Sequence, residues 1–439
     1  MKIRFAVVAA VSALATLPAF GADLQLGADT KFSISGFFAV GLKSATVDNT
    51  NRVGLKNEIR LDDNTSRIAF SGSSKIIDGW NAVFMVGSRF TTDVRPGDAV
   101  VGTTPVANAS GWADDDTWAG ISSPYGRVVF GKSSFFWADT VGLPHISPAL
   151  DAPGENYRVW DVQGLSTFTI LDQAIVIQKS GVVTNAYTLG ITRSRNVVRY
   201  DSPNFSGVDF SVAWTKNAVG GEQWYPGVNT PNATYARNYE DGQTTYGRLR
   251  YNKNGISLIA SILDQKLQGG VYSSASFTGP LDVTAYRLGG SYKFPFGLKV
   301  GLVMDTTTLV NGIAPLNAGV VSYGQSVGDA KRTAFEVPIS YAWGDHMVHF
   351  TYAKAGNVSD AAASGANQMN FVYDYALNKR TFIGFVYTKL KNDTNGHYNP
   401  FLTSYSFGAS QPNPLGATQA TNTNGEGFTQ YGINLQFWF

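Results

Sequence analysis

Apolar and polar residues alternate along most of this chain, and the last nine residues show it best. Tyr431, Ile433, Leu435, Phe437 and Phe439 share one face, and Gly432, Asn434 and Gln436 share the other. A period of two is the signature of a strand. An aromatic, wholly apolar face on an open edge invites aggregation. The pattern therefore predicts a strand whose apolar face meets lipid and whose edge is sealed by another strand. The same rhythm appears near the start, over residues 31–43, with Phe32, Ile34, Phe38, Val40 and Leu42 on one side. Over residues 66–76, Ile68, Phe70 and Ile76 oppose Arg67, Ser71, Ser73 and Lys75.

The connections between such stretches fall into two classes. Seven are short and rich in turn formers, among them Asp78-Gly79, Ser123-Pro124-Tyr125-Gly126 and Asn252-Lys253-Asn254-Gly255. Gly, Pro, Asn and Asp supply the dihedrals that tight turns need. Eight are long and polar, including residues 44–63, 93–116, 217–243 and 391–427. Seven short turns and eight long loops predict sixteen strands with both ends on the short-turn side. The fold class is thus all-β, a transmembrane antiparallel barrel. A soluble β-sandwich is the alternative, and this length fits a single sheet pair poorly.

The N-terminus changes the picture. Lys2 and Arg4 precede an apolar run from Phe5 to Leu17, then Pro18 and the small residues Ala19, Gly21 and Ala22. This is the pattern of a secretory signal, here residues 1–21 with cleavage after Gly21 or Ala22, followed by a barrel over 22–439. Its apolar core is too short to span a bilayer. The formal charge of +2 falls close to neutral once Lys2 and Arg4 are removed, which argues against a nucleic-acid partner. The chain has no cysteine, so it holds no disulfide and no thiol chemistry.

Candidate chemistry lies on the wall opposite the apolar face. Arg67, Lys75, Arg89, Arg127, Arg199, Arg248, Arg250, Arg287, Lys299 and Arg332 alternate with apolar positions, so they point into the lumen. Acidic inward positions are fewer: Asp209, Asp305, Glu336 and Asp374. The longest connection, residues 133–195, carries Asp151, Glu155 and Asp161 among aromatics and prolines, and its segment 167–179 alternates weakly, as an extra hairpin would. A connection of that length is usually functional, and an inward fold would set its carboxylates against the basic wall. The basic excess points to a weak anion preference. Asp114, Asp115 and Asp116 form an oxygen-rich run that suits calcium, although a solvated loop end explains it too. No other cofactor is implied. A barrel enzyme would need a nucleophile aligned with one of His145, His346, His349 or His397. His349 faces inward but has no obvious serine partner. An adhesin or structural barrel would not conduct.

Several stretches resemble the Gram-negative trimeric porins, in particular the beta-proteobacterial general porins. They are Ser66-Arg67-Ile68-Ala69-Phe70-Ser71-Gly72, Tyr125-Gly126-Arg127-Val128-Val129-Phe130-Gly131-Lys132, Asn196-Val197-Val198-Arg199-Tyr200-Asp201-Ser202-Pro203-Asn204-Phe205 and Tyr373-Asp374-Tyr375-Ala376-Leu377-Asn378-Lys379-Arg380-Thr381, with the aromatic last strand. The resemblance implies a homotrimer in the outer membrane, in contact with lipid and lipopolysaccharide. It also implies recognition of Phe439 by the barrel-assembly machinery and passive diffusion of small hydrophilic solutes and ions. It matches Arg67, Arg89, Arg127, Lys132 and Arg199 to the constriction wall, and Asp151 and Glu155 to a third loop folded inside. The insertion over residues 166–195 departs from the pattern and leaves a substrate-selective channel as the alternative.

Overall fold

In the computed structural model, residues 22–49, 57–62, 66–90, 112–113, 115–134, 176–179, 182–185, 193–216, 243–267, 271–272, 275–276, 281–310, 330–359, 362–396, 398 and 425–439 are described. The signal segment and Asp151, Glu155 and Asp161 lie outside them.

Sixteen antiparallel strands close into one barrel. They are β1 (Thr30–Asp48), β2 (Ser66–Ile77), β3 (Trp80–Phe90), β4 (Thr117–Ser123), β5 (Gly126–Ser134), β6 (Arg193–Asp201), β7 (Val208–Lys216) and β8 (Gln243–Lys253). The second half comprises β9 (Ile256–Leu267), β10 (Leu281–Lys293), β11 (Leu298–Val310), β12 (Ala330–Trp343), β13 (His346–Ala355), β14 (Ala366–Ala376), β15 (Thr381–Asn392) and β16 (Gly427–Trp438). Successive strands pair with their chain neighbours, and β16 pairs back on β1 from Phe37↔Trp438 to Asp48↔Gly427. Closure leaves no open edge, which is what a sheet in hydrocarbon requires.

Exposure follows the alternation. On β16, Tyr431, Ile433, Leu435 and Phe437 are exposed while Gly432, Asn434 and Gln436 are buried. On β7 the buried positions Asp209, Ser211, Ala213 and Thr215 alternate with exposed Val208, Phe210, Val212 and Trp214. The exposed face is therefore apolar and the covered face largely polar, the reverse of a soluble sheet. Aromatic residues gather near the short turns. Tyr341, Trp343 and His346 stack in sequence with ring centroids 5.3 Å apart at each step.

Short turns make close approaches that only glycine permits. Gly126 begins β5 with φ +123°, and a Cβ there would lie 2.5 Å from the Asp201 carbonyl oxygen. The turn from β4 into β5 is thereby pressed against the end of β6, a contact that places Asp201 beside Arg127.

Two of the long connections hold strands of their own. Residues 44–63 were expected to be a connection, but β1 runs on to Asp48, and Asn57–Asp62 pairs with it from Gly41↔Asp62 to Thr46↔Asn57. About 9–11 residues suffice to span hydrocarbon. The 19 residues of β1 therefore project beyond it, where neither face need be apolar and the alternation fades. Within the third long connection, Val176–Lys179 and Val182–Asn185 form a separate two-stranded sheet. The weak alternation over 167–179 suggests a hairpin, and the observed pair begins at the end of that stretch and runs beyond it.

The termini meet. Gly36 exchanges both backbone hydrogen bonds with Phe439, at 3.0 and 3.1 Å. Ala22–Gln25 pairs with β1 from Ala22↔Ile34 to Gln25↔Lys31, so it continues the slot that β16 leaves.

Candidate functional site

The inward faces of β5 to β12 build one basic wall. Its positions are set by register. Arg127, Asp201, Ser211, Arg248, Ser261, Arg287 and Asp305 form a cross-strand row in which each residue directly partners the next. Barrel strands tilt by roughly 35–45°. A row perpendicular to them therefore climbs as it goes round, from beside the short turn at Arg127 toward the end with the long connections.

On and beside this row three carboxylates each join two arginines. The Asp201 carboxylate takes Arg127 on one oxygen at 2.6 Å and Arg199 on the other at 2.8 Å. The Asp209 oxygens take Arg250 at 2.9 Å and Arg248 at 3.5 Å. The Asp305 oxygens take Arg287 at 3.3 Å and Arg332 at 2.8 Å, with the Thr307 hydroxyl donating as well. Like charges so close would repel. A shared carboxylate holds each pair together. Ser211 links the first two pairs: its hydroxyl donates to Asp201 at 2.7 Å and accepts from Arg199 at 3.3 Å and Arg248 at 3.0 Å. That uses its one proton and both lone pairs.

Neighbouring groups fix the first pair further. The Arg127 guanidinium lies 4.6 Å from the centroid of the Trp118 ring. Arg199 donates to the Ser134 carbonyl at 2.9 Å, at the point where β5 enters the long third connection.

Arg127, Arg199, Arg248 and Arg250 lie together on this inward face. Arg67 and Arg89 are direct cross-strand partners on β2 and β3, and their side chains lie outside the described residues. Lys132 does not join them. It pairs in register with Thr117 and shares the parity of exposed Phe130, and its ammonium bonds the Ala113 carbonyl. Its neighbour Gly131 keeps the wall parity, so the lysine is turned outward and ties down the end of the second long connection. Lys75 is at the rim. It is half exposed and pairs with Asp78 in the turn at 2.5 Å, a hydrogen bond that holds the Asp78 carboxyl below its usual range.

In the aspartate run, Asp116 accepts from the Ser134 hydroxyl at 2.8 Å, Asp115 is buried, and Asp114 lies outside the described residues. Among the described residues no group of three His, Cys, Asp or Glu side chains is disposed to hold a metal ion. His349 has Ser340 as cross-strand partner, yet neither of its ring nitrogens forms a hydrogen bond.

Asp201 and Ser211 are the site residues that a reading by charge alone passes over. The signal was present, since Asp201 stands two positions beyond Arg199 and so shares its face.

A closed sixteen-strand barrel with a charged interior meets its relatives here. The family model of Gram-negative porins matches residues 5–395. The chain belongs to the Gram-negative porin family. It is an outer-membrane porin, a water-filled channel, and porins are channels rather than enzymes. The major outer membrane protein P.IB of Neisseria gonorrhoeae is 23% identical over 381 residues, covering 84% of this chain and 88% of that protein. The P.IA protein of Neisseria meningitidis serogroup B is 24% identical over 378 residues, covering 78% and 80%. Among solved structures, the anion-selective porin from Comamonas acidovorans superposes with a TM-score of 0.60 at 16% identity, over 94% of this chain and all of that one. The trimer form of OmpT from Vibrio cholerae gives 0.55 at 10% identity, over 94% of this chain.

Proposed function

We propose that this porin passes small hydrophilic solutes with a preference for anions, and that it works as a homotrimer without catalysis. One observation carries the preference. Among the described residues, six arginines share three aspartates in the paired arrangement above, so these groups carry more positive than negative charge. A lumen lined by one sign of charge between low-dielectric walls concentrates the opposite ion. The Comamonas acidovorans neighbour is described as anion-selective, and OmpT has a trimer form, which supports both parts of the reading.

The test is planar-bilayer recording of purified protein in a salt gradient. A reversal potential on the anion side, with conductance rising in threes per insertion, is the expected result. A cation-side potential overturns the preference, and single conductance steps overturn the trimer. A substrate-selective channel predicts instead saturable block by one class of solute.

A further inference from the structure

The cross-strand row that carries the arginine pairs does not end at Asp305. It runs on through Ala334, Ala355 and Ala366 to Asn392, each the direct partner of the one before. The row climbs as it goes round, so these positions lie toward the end with the long connections. Charge gives way there to three methyl groups, which leave a shallow apolar recess in the inner wall.

A side chain from beyond the strands fills this recess. Tyr398 lies in the last long connection, six residues past Asn392 at the end of β15. It is fully buried and packs with Val303, Ala334, Ala353, Ala355, Ala366 and Leu390. All six share the parity of the buried positions on β11 to β15, so the phenol ring lies inside the barrel and not over its rim. Asn392 grips the backbone that carries it. The Asn392 amide oxygen accepts from the Tyr398 N–H at 2.9 Å, and its nitrogen donates to the Tyr398 and Glu426 carbonyls, each at 2.8 Å. Both amide protons are thereby used, and the amide can point only one way. The hydroxyl end of Tyr398 faces the charges of Arg332 and Asp305 without closing a hydrogen bond to either.

The arginine pairs differ in exposure accordingly. In the second pair the Arg250 side chain is 31% exposed, whereas Arg287, Asp305 and Arg332 of the third are wholly covered. A buried aromatic ring takes up a large area and keeps water from whatever it lies against.

We propose that Tyr398 is a selectivity-determining residue of the channel. It occupies the lumen beside the third arginine pair, sets the free width there and keeps solutes off Arg287 and Arg332. Passing anions then touch the first two pairs and meet the third only through its field. The inference rests on the channel reading above but not on the sign of its ion preference.

The experiment compares Tyr398→Ala, Tyr398→Phe and Asn392→Ala with wild type in planar bilayers. Single-channel conductance and the reversal potential in a potassium chloride gradient are the two readings. Tyr398→Ala opens the recess and uncovers the third pair, so its conductance rises and its reversal potential moves toward anions relative to wild type. Asn392→Ala frees the backbone of Tyr398 but keeps the ring, and moves both readings the same way by less. Tyr398→Phe keeps the ring and stays at the wild-type values. Wild-type readings in Tyr398→Ala overturn the proposal, because a tyrosine that merely stabilised the fold would change the unfolding midpoint and neither channel reading. A shift toward cations overturns it too, and so does a Tyr398→Phe channel that behaves like Tyr398→Ala. Where Tyr398→Ala does not insert, Asn392→Ala decides on the same two readings. Each shift is taken against wild type, so it stands apart from the sign of the wild-type potential, which tests the anion preference.

Discussion

At the scale of single residues, the shared carboxylates matter more than the arginines they hold. Asp201 keeps Arg127 and Arg199 at fixed positions although both are cations. Replacing it by Asn removes a negative charge and leaves two guanidinium groups that are largely covered. Breaking a buried ion pair from one side costs on the order of 3 kcal/mol. Asp201→Asn is thus expected to unfold at lower urea concentration. Those molecules that fold should show a reversal potential shifted further toward anions. A shift toward cations would contradict the role given to Asp201. The basic members of this site were legible because parity alone assigns a face to Arg127, Arg199, Arg248 and Arg250. Their partnership with Asp201 and Ser211 was not, since cross-strand register depends on how strands from distant parts of the chain align. Lys132 shows the same limit. Its charge and its place among the motif residues suggest the wall, but it shares the parity of exposed Phe130, opposite to that of Arg127.

At the scale of elements, two kinds of constraint act on each strand. The lipid face must be apolar, so Ile433→Arg on β16 is expected to cost about 2–4 kcal/mol if it lies near mid-membrane. The lumen face is freer, so Gln436→Ala is expected to fold with stability close to wild type. Urea titration followed by tryptophan fluorescence compares the two, and equal losses would mean the faces are assigned wrongly. The turns obey a steric rule instead. Gly126→Ala places a methyl group 2.5 Å from the Asp201 carbonyl at a positive φ. It is expected to destabilise the barrel by 1 kcal/mol or more and to disturb the Arg127–Asp201 pair. Both its unfolding midpoint and its ion selectivity should change. Strand positions were legible wherever one face had to be apolar. They became illegible above the membrane, as at the end of β1, where alternation has no solvent boundary to report.

At the scale of the whole molecule, the sequence carries the architecture in its punctuation. Seven short turns and eight long connections leave one arrangement, and the chain adopts it. The climbing wall is a property of this scale alone. It arises because strands tilt, so residues at one register level lie at successive depths. A solute crossing the channel therefore passes the arginine pairs in turn rather than together. Neutralising a lower pair with Arg127→Gln is expected to reduce anion preference without abolishing it, because the pairs at Asp209 and Asp305 remain. Reversal potentials of Arg127→Gln and of an Arg127→Gln, Arg250→Gln double variant measure this. Complete loss in the single variant would mean that one narrow point, not a row, sets the preference.

The meeting of Phe439 with Gly36, and of Ala22 with Ile34, has a topological consequence. Phe439 and Ala22 point head to tail in one slot, separated only by the place opposite Ser35. In a variant that begins at Ala22, a short peptide inserted there would close the polypeptide into a covalent ring. The gene could then be reopened within a long loop, and such a circular permutant should still assemble into the same channel.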